Sequence, residues 1–404
     1  MLIGLSSMMR HLRVPKQKTQ SILDCINSFE WSSKGYRVLD DGEFKLIPLG
    51  DNPPENLPEP LNQFEEKEAE QSERLPQKWI GYLPQFIDEE IISLHEGGWP
   101  NAQEPLGDIL LFKIEKHLEQ YAQEVALAKI THHKKVRAVF RDHGVKGDFR
   151  IRELEPLVAR LDGQLLTVEQ INLLPESVRE TLLQTETLVR EYNLNIKVDP
   201  RKAFFSHRLQ SQRVHTVESA IKLREMLGRP LDVADPYCGV GPAFSHLLQI
   251  DDLVGNLLAC DINPDAMPLL VDNLKRNGVD VSLEYIKANQ LQISGNYIGV
   301  RDALTLTKDS DLVGKYDVLL VNIPHETVTH LPHLIGLLKV GSPTLVRGWL
   351  VAPEDEISNL TKQLQKILPH PLEGSPLVEV ERRTQYNTTD WLCRFEAWLN
   401  IPHE

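Results

Sequence analysis

The sequence has few of the features that mark a secreted, membrane-spanning or disulfide-bonded protein. Only four cysteines occur in 404 residues, and no two of them form a C-x-x-C pair. Cysteines scattered in this way favour reduced thiols in or near the core over disulfides or a metal site. No apolar run approaches the length of a membrane span, and no charged segment precedes the short apolar start. The composition therefore predicts a cytoplasmic globular protein with neither a bound metal nor a membrane partner.

An overall positive charge, which would point directly to a nucleic-acid partner, is also missing. The formal net charge is −14, but it is unevenly distributed. Residues 51–78 carry a balance of −5, whereas residues 131–160 carry +4 and residues 201–229 carry +5. Basic stretches can hold phosphates even on an acidic protein, although they are equally compatible with ordinary solvated faces.

The length allows two or three domains, and the patterning divides the chain into four parts. Residues 1–50 read as a small α+β unit that ends in a hairpin around Asp41-Gly42. Residues 51–78 are acidic and proline-rich, which predicts a flexible linker. Residues 79–198 read as an α+β middle domain. Residues 199–404 alternate strands and helices, which predicts an α/β doubly wound, Rossmann-like domain with a parallel sheet.

The most informative stretch is a glycine turn at 231–242, LDVADPYCGVGP. An apolar strand ends at Asp235 and passes through Gly239 and Gly241 into a helical pattern, so that backbone can approach a ligand closely. A second strand ends about twenty residues later at Asp261, whose carboxylate can accept both hydroxyls of a ribose. The third glycine of a dinucleotide fingerprint is missing, and Pro242 directly follows Gly241. The pattern therefore fits S-adenosylmethionine (AdoMet), which has no pyrophosphate.

Several short segments, taken in order, resemble the archaeal and eukaryotic type of tRNA (guanine-37-N1)-methyltransferase. The N-terminal part resembles that family in LRVPKQK and LIPL, and the middle part in GDILLFKI and VKGDFRIRELEPL. The last part resembles it in KAFFSHRLQSQR, DPYCGVGP, CDINPDA, RDA and NIP. The resemblance covers nearly the whole chain. It implies a class I AdoMet methyltransferase domain that acts on a purine next to the anticodon.

The resemblance also implies roles for individual residues. The cofactor-binding residues that it implies, together with the residues of the glycine turn, are Arg213, Asp235, Tyr237, Gly239, Gly241, Asp261, Ile262, Asp302, Ala303 and Asn322.

On the acceptor side, Arg150 would stabilise charge on the guanine O6, and Asn322 would hold the base edge. Pro324 would shape the pocket and Arg208 would contact the substrate. The implied partner is a tRNA, bound at its anticodon loop and outer corner by a monomer.

The residues themselves leave other interpretations open. Arg150 could be a phosphate contact, Asn322 could cap a strand, and Arg208 and Arg213 could pair with Glu218 or Glu225.

The chain departs from the family at the expected proton acceptor. Gln212 stands where the family has glutamate, and an amide cannot take a proton near neutral pH. His325, Glu326 or a water molecule could take its place as the base. Two other interpretations remain open: an aminocarboxypropyl transferase of the wybutosine pathway, and a tRNA-binding paralogue that has lost catalysis. An amino-methyltransferase with an N-P-P-(Y/F) motif is disfavoured, because no aromatic residue follows Asn322-Ile-Pro.

Overall fold

The structure is a computed structural model. It describes residues 8–29, 31, 35–50, 52–70, 75–147, 149–287, 292–293 and 295–403. The apolar start at 1–7, residues 51 and 71–74 of the acidic segment and Asp148 of the GDFR element lie outside the described residues. The chain divides into two compact units, Met1–Glu89 and Glu90–Glu404.

The first unit is an antiparallel sheet with one helix packed on it. The sheet has the order β2-β3-β1-β4, and residues from β1, α1 and β3 supply its core, including Leu12, Ile22 and Ile47. The predicted hairpin turns at Asp41-Gly42, as expected. The elements are β1 (Met8–Pro15), α1 (Thr19–Asn27), β2 (Leu39–Asp41), β3 (Phe44–Pro48) and β4 (Glu65–Glu70).

The acidic segment is not a flexible linker throughout, and the prediction is wrong for residues 57–70. Leu57 and Leu61 are buried in the core of the first unit. Strand β4 pairs with β1, where Arg10 Nε donates to Glu66 Oε2 at 2.8 Å. Glutamates of β4, whose charge suggested a solvated linker, thus form ion pairs with arginines on β1. An edge strand of charged residues is also a common way to prevent further strand pairing.

The second unit begins with a five-stranded sheet of order β5-β6-β7-β8-β9, followed by the hairpin β10-β11. Strands β6 and β7 are parallel and the other pairs are antiparallel. Helix α2 (Glu89–Leu94) begins at the boundary between the units. The elements that follow are β5 (Gln103–Leu106), β6 (Ile109–Phe112), α3 (Ala122–His132), β7 (Ala138–Lys146), β8 (Ile151–Leu161), β9 (Gln164–Thr167), α4 (Val168–Asn172), α5 (Glu176–Leu183), β10 (Thr187–Glu191) and β11 (Leu194–Val198).

Strand β10 lies in a polar stretch in which the sequence alone does not indicate a strand. Its buried positions alternate, with Thr187, Val189 and Glu191 facing inward. The signal was hidden because two of these three inward residues are polar, so that no hydrophobic alternation is visible. The strand places Glu191, a carboxylate with no accessible surface, inside the second unit.

The rest of the second unit is a mixed eight-stranded sheet of order β14-β15-β13-β12-β16-β17-β19-β18. Its elements are α6 (Gln210–Leu227), β12 (Leu231–Asp235), α7 (Pro242–Leu247), β13 (Val254–Asp261), α8 (Met267–Arg276), α9 (Leu283–Lys287), β14 (Gln292–Ile293), β15 (Asn296–Val300), β16 (Val318–Val321), α10 (Thr327–Leu334), β17 (Pro343–Pro353), α11 (Ile357–Ile367), β18 (Glu379–Gln385) and β19 (Asp390–Asn400).

The five central strands, β15-β13-β12-β16-β17, run parallel and carry the predicted doubly wound topology. The chain moves outward in one direction from β12 to β15 and then returns to β16 on the other side. Ligands of such sheets bind outside the carboxyl ends of the strands at this reversal. One hydrophobic core runs from Leu106 in the five-stranded sheet to Leu345 in the parallel one, so the two sheets are packed as one unit. The predicted fold class is therefore confirmed.

Across the part of the chain that the structure describes, no helix is both long enough and apolar enough to traverse a bilayer.

Candidate functional site

The glycine turn lies at the carboxyl end of β12, where the topology predicts a ligand. Gly239 and Gly241 have positive φ angles of 52° and 76°. A Cβ atom on Gly241 would lie 2.7 Å from Leu270 Cδ1 on α8, so a side chain here would force either Leu270 or the turn to shift. The predicted strand, turn and helix are all present. The turn leaves a backbone edge that a ligand can approach.

Asp261 ends the neighbouring strand and is fixed against the turn. Its Oδ2 accepts from the Gly239 amide at 2.7 Å, and its Oδ1 accepts from the Asn263 amide at 2.9 Å. Burial raises the pKa of this carboxyl, although the backbone hydrogen bonds act in the opposite direction. A carboxylate can accept roughly four hydrogen bonds, so acceptor capacity remains for hydroxyl donors. The next residue, Ile262, is 57% exposed and offers an apolar surface beside the carboxylate.

Asp235 and Tyr237 lie inside the turn. Burial raises the pKa of Asp235 to about 7, and its Oδ1 accepts from the Tyr237 amide at 3.1 Å. The Tyr237 hydroxyl lies 2.7 Å from His330 Nδ1. Burial raises the pKa of Tyr237 further from neutrality, and the negative charges of Asp302, Asp235 and Asp261 add to this effect. The ring thus lies within electrostatic reach of all three carboxylates.

Asp302 follows β15, the third strand on this side of the sheet. Its Oδ1 accepts from the Leu304 amide at 3.0 Å and caps a short 3-10 helix that begins at the buried Ala303. The Arg301 amide donates to the Asp261 carbonyl at 3.1 Å, so Asp302 lies next to the end of β13. The ends of β12, β13 and β15 therefore bring three carboxylates around one edge, which suits a nucleoside.

Asn322 and Pro324 follow β16, on the other side of β12. Asn322 is exposed, and its loop is held to β17 by the Val351 amide, which donates to the Pro324 carbonyl at 2.9 Å. The Thr327 hydroxyl is within hydrogen-bonding distance of the Ile323 and Trp349 carbonyls. The loop is thus a fixed support for Asn322.

Arg150 occupies the turn between β7 and β8, with a positive φ of 52°. Its Nη2 donates to the Tyr386 hydroxyl at 2.7 Å, and its guanidinium lies 5.4 Å from the Phe204 ring centroid. His325 Nε2 lies 3.1 Å from the same hydroxyl. The Tyr386 hydroxyl therefore links Arg150 to the loop that carries Asn322.

Sequence reasoning missed Tyr386, because its segment, RTQYN, signalled only a strand. The tyrosine lies just past β18, more than two hundred residues from Arg150. No local spacing can report a contact of that separation. Only the closure of the sheet brings the two residues together.

Gln212 lies in the first turn of α6 and faces Arg383 of β18. With its amide oxygen oriented toward the guanidinium, it accepts from Arg383 Nε at 3.3 Å and Nη2 at 3.1 Å. Arg208 is exposed in the 3-10 turn that precedes α6. Gln212 is therefore a hydrogen-bond acceptor beside a fixed positive charge.

Arg213 is 8% exposed, and its guanidinium binds Glu191. Its Nε donates to Glu191 Oε2 at 3.0 Å, and His246 Nε2 lies 2.8 Å from the same oxygen. Burial alone would raise the pKa of Glu191, but the His246 and Arg213 contacts hold it below its ordinary value. The suggested pairing of Arg213 with Glu218 or Glu225 is thus wrong. Its role toward a cofactor stays a prediction.

A cavity of about 720 Å³ opens beside β10, on residues that the sequence did not single out. Its lining contains four basic side chains, Lys135, Arg190, Lys197 and Arg276, with Asp108 and Glu186 as acids. The balance of charge is positive, which favours an anion such as a phosphate.

Two family descriptions match the second part of the chain. Residues 82–159 match the TYW2 N-terminal domain, and residues 187–342 match the TRM5/TYW2 methyltransferase domain. The second match contains the glycine turn, Asp261, Asp302 and Asn322. Arg383 and Tyr386 lie beyond it.

Known proteins with related sequences and folds agree with this assignment. The chain is 27% identical over 310 residues to the tRNA (guanine(37)-N(1))-methyltransferase Trm5b of Pyrococcus abyssi, covering 76% of this chain and 74% of that protein. The crystal structure of that organism's Trm5b superposes with a TM-score of 0.60 at 21% identity, covering 97% and 100% of the two chains. A structure of aTrm5 in complex with tRNALeu gives 0.63 at 19% identity, covering 96% and 99%. Residues 187–342 therefore carry a TRM5/TYW2 methyltransferase domain, preceded by a stretch that matches the TYW2 N-terminal domain.

Proposed function

We propose that the protein is an AdoMet-dependent tRNA methyltransferase that methylates N1 of guanosine 37, next to the anticodon. The observation that carries the proposal is the junction of Arg150, Tyr386 and the Asn322 loop beside a nucleoside-binding edge. The names of the relatives support the same reaction, since Trm5b of Pyrococcus abyssi and that of Methanocaldococcus jannaschii are both tRNA (guanine(37)-N(1))-methyltransferases.

The residues at the end of the parallel sheet fit AdoMet. The Asp261 carboxylate is held rigidly by two amides and suits the ribose hydroxyls, while Asp302 suits the adenine edge. Because Gly241 packs closely on Leu270, this position of the turn requires a residue without a side chain. When bound, AdoMet supplies a methyl group on a sulfonium that is its own leaving group. The protein then has to position the acceptor and manage one proton.

The acceptor side suits a flipped guanine. Loss of the N1 proton moves negative charge toward O6, where a guanidinium such as Arg150 stabilises it. Phe149, Phe204 and Tyr386 are exposed aromatic side chains in this region, and aromatic rings are the usual stacking surfaces for an extruded base. In the proposal Asn322 reads the base edge, Pro324 shapes the pocket and Arg208 contacts the RNA backbone.

We extend the proposal to the rest of the tRNA. The basic cavity beside β10 is an electrostatic match for backbone phosphates. The first unit has its own core, and the resemblance assigns it to the outer corner of the tRNA. On this proposal the protein acts as a cytoplasmic monomer that binds the anticodon loop and the outer corner of a single tRNA.

The decisive experiment is incubation with labelled AdoMet and unmodified tRNA transcripts, followed by digestion and identification of the modified nucleoside. We expect a methyl label on 1-methylguanosine with a G37 transcript and none with an otherwise identical A37 transcript. The match of residues 82–159 to the TYW2 N-terminal domain makes aminocarboxypropyl transfer the second candidate. Incorporation of a carboxyl-carbon label would identify that reaction. AdoMet binding without either label would identify a tRNA-binding paralogue.

Arg150→Ala tests the role of the guanidinium. Removal of an electrostatic partner that acts only in the transition state typically costs about 10²–10³ in kcat. We therefore expect a loss of that size with little change in affinity for the demethylated cofactor, measured by single-turnover kinetics and calorimetry. Arg179→Ala, on α5, is the matched control. Equal losses in turnover and cofactor affinity would contradict the O6 role.

A further inference from the structure

We propose that Tyr386 and His325 together accept the N1 proton, in the place of the glutamate that Gln212 replaces. The proposal rests on the proposed N1-methylation and names the base for that reaction. It is carried by one hydroxyl group that lies between a permanent cation and an imidazole.

Chemistry fixes the direction of the Arg150 hydrogen bond in this cluster, and the proposal assigns the direction of the other. Arg150 Nη2 lies 2.7 Å from the Tyr386 oxygen, and a guanidinium can only donate. The Tyr386 oxygen therefore accepts from Arg150, and its own proton is free to point at His325 Nε2, 3.1 Å away. In that arrangement His325 is the neutral tautomer with its proton on Nδ1 and its lone pair on Nε2.

This arrangement can take up a proton from the acceptor base. As the N1–H bond breaks, its proton passes to the Tyr386 oxygen while the Tyr386 proton passes to His325 Nε2. The electron pair of the N1–H bond stays on N1, where it is available for the methyl group. The proton ends on His325, whose exposed ring can return it to solvent. Arg150 stabilises both the negative charge that forms on O6 and the phenolic oxygen during the exchange.

The surroundings of Gln212 explain why the base lies elsewhere. When its amide is oriented so that the oxygen faces Arg383, that oxygen lies 3.3 Å from Arg383 Nε and 3.1 Å from Nη2. A carboxylate at this position would form an ion pair with that guanidinium, which disfavours protonation. His325 instead follows Asn322 by three residues on the loop that is fixed to β17. In the proposal it therefore lies at the reacting edge together with Asn322, which contacts the base.

The test begins with single-turnover methylation of a G37 transcript by the wild-type protein. A complete lack of 1-methylguanosine would overturn the proposed function itself, before any variant is compared. With activity established, Tyr386→Phe and His325→Gln are each expected to lower the methyl-transfer rate by about 10²–10⁴, the range for a general base. The Kd values for tRNA and for the demethylated cofactor should change less than threefold. Tyr192→Phe and His333→Gln are matched controls.

The pH profile separates a proton acceptor from a structural contact. The wild-type rate should rise with pH to a plateau. In His325→Gln the plateau should vanish and the rate should keep rising with pH, and imidazole added to His325→Ala should restore part of the rate. Variant rates within threefold of wild type, or equal losses of rate and tRNA affinity, would overturn the proposal.

A second measurement does not depend on activity. Nuclear magnetic resonance of the protein with ¹⁵N-labelled histidine should show His325 with a protonated Nδ1 and a bare Nε2, and Tyr386→Phe should abolish this tautomer preference. Detection of His325 with its proton on Nε2 in the wild-type protein would also overturn the proposal.

Discussion

At the scale of single residues, the pair Gln212–Arg383 is the clearest departure from the resemblance noted in the sequence. A glutamine alone reads as the loss of a base. Its partner on β18 shows that the position has a neutral acceptor matched to a nearby cation. The substitution is therefore part of a local arrangement, and reverting it alone does not recreate a free carboxylate.

Gln212→Glu tests this interpretation. Because Arg383 would hold the new carboxylate as an ion pair, we expect the methyl-transfer rate to stay within about threefold of wild type. In a His325→Gln background, the double change Gln212→Glu with Arg383→Gln should raise the rate above that of Arg383→Gln alone, since the carboxylate is then released. The measurement is single-turnover methylation of a G37 transcript. A tenfold gain from Gln212→Glu by itself would contradict the expected role of Arg383.

At the scale of elements, the glycine turn and the polar strands β4 and β10 differ in how visible they are in sequence. The turn could be predicted because its apolar strand, its glycines and its following helix are contiguous. Strands β4 and β10 could not, because their residues are mostly polar and find partners such as Arg10 and Arg213 far along the chain. The same reason hid Tyr386. The cofactor half of the candidate site can thus be predicted from contiguous sequence. The acceptor half forms only when segments far apart in the chain come together in the fold.

Gly241→Ala measures how much of the turn depends on close packing. The new Cβ would meet Leu270 Cδ1 at 2.7 Å, and the alanine would have to adopt a positive φ. Gly228→Ala is the matched control, because Gly228 also has a positive φ but has no neighbouring atom within 4 Å of an added Cβ among the described residues. We expect Gly228→Ala to cost about 1 kcal/mol and Gly241→Ala about 1–3 kcal/mol more, from urea unfolding. Gly241→Ala should also weaken binding of the demethylated cofactor. Equal costs would argue against the close approach.

At the scale of the whole molecule, one buried lysine should make the free energy of unfolding depend on pH. Lys129 on α3 has no accessible surface, and its Nζ donates to the Pro100 carbonyl at 2.8 Å and to Gln103 Oε1 at 3.0 Å. Burial lowers the pKa of Lys129 from 10.5 to about 7. Between these two pH values the unfolded chain holds a proton that the folded chain has released. Stability therefore rises with pH through this window.

From pH 7 to pH 9 this single group should add about 2 kcal/mol to the free energy of unfolding. Lys129→Met should remove that increase, whereas Lys134→Met, at an exposed position, should keep it. Urea unfolding at pH 7, 8 and 9 gives, for the wild type and each of the two variants, the change in the free energy of unfolding with pH. The same pH dependence in wild type and Lys129→Met would show that Lys129 is charged in the folded state.

The order of the last strands sets the order in which the candidate site is assembled during synthesis. Strand β18 precedes β19 in the chain but lies outside it in the sheet, so β18 has no strand to pair with, and no link to the rest of the sheet, until β19 has been made. Arg383 and Tyr386 are therefore brought to Gln212 and Arg150 only after residue 400 has been made. A nascent chain that ends near residue 342 already contains the glycine turn and its acids. The protein thus acquires the residues expected to hold its cofactor before those expected to take the proton from its substrate.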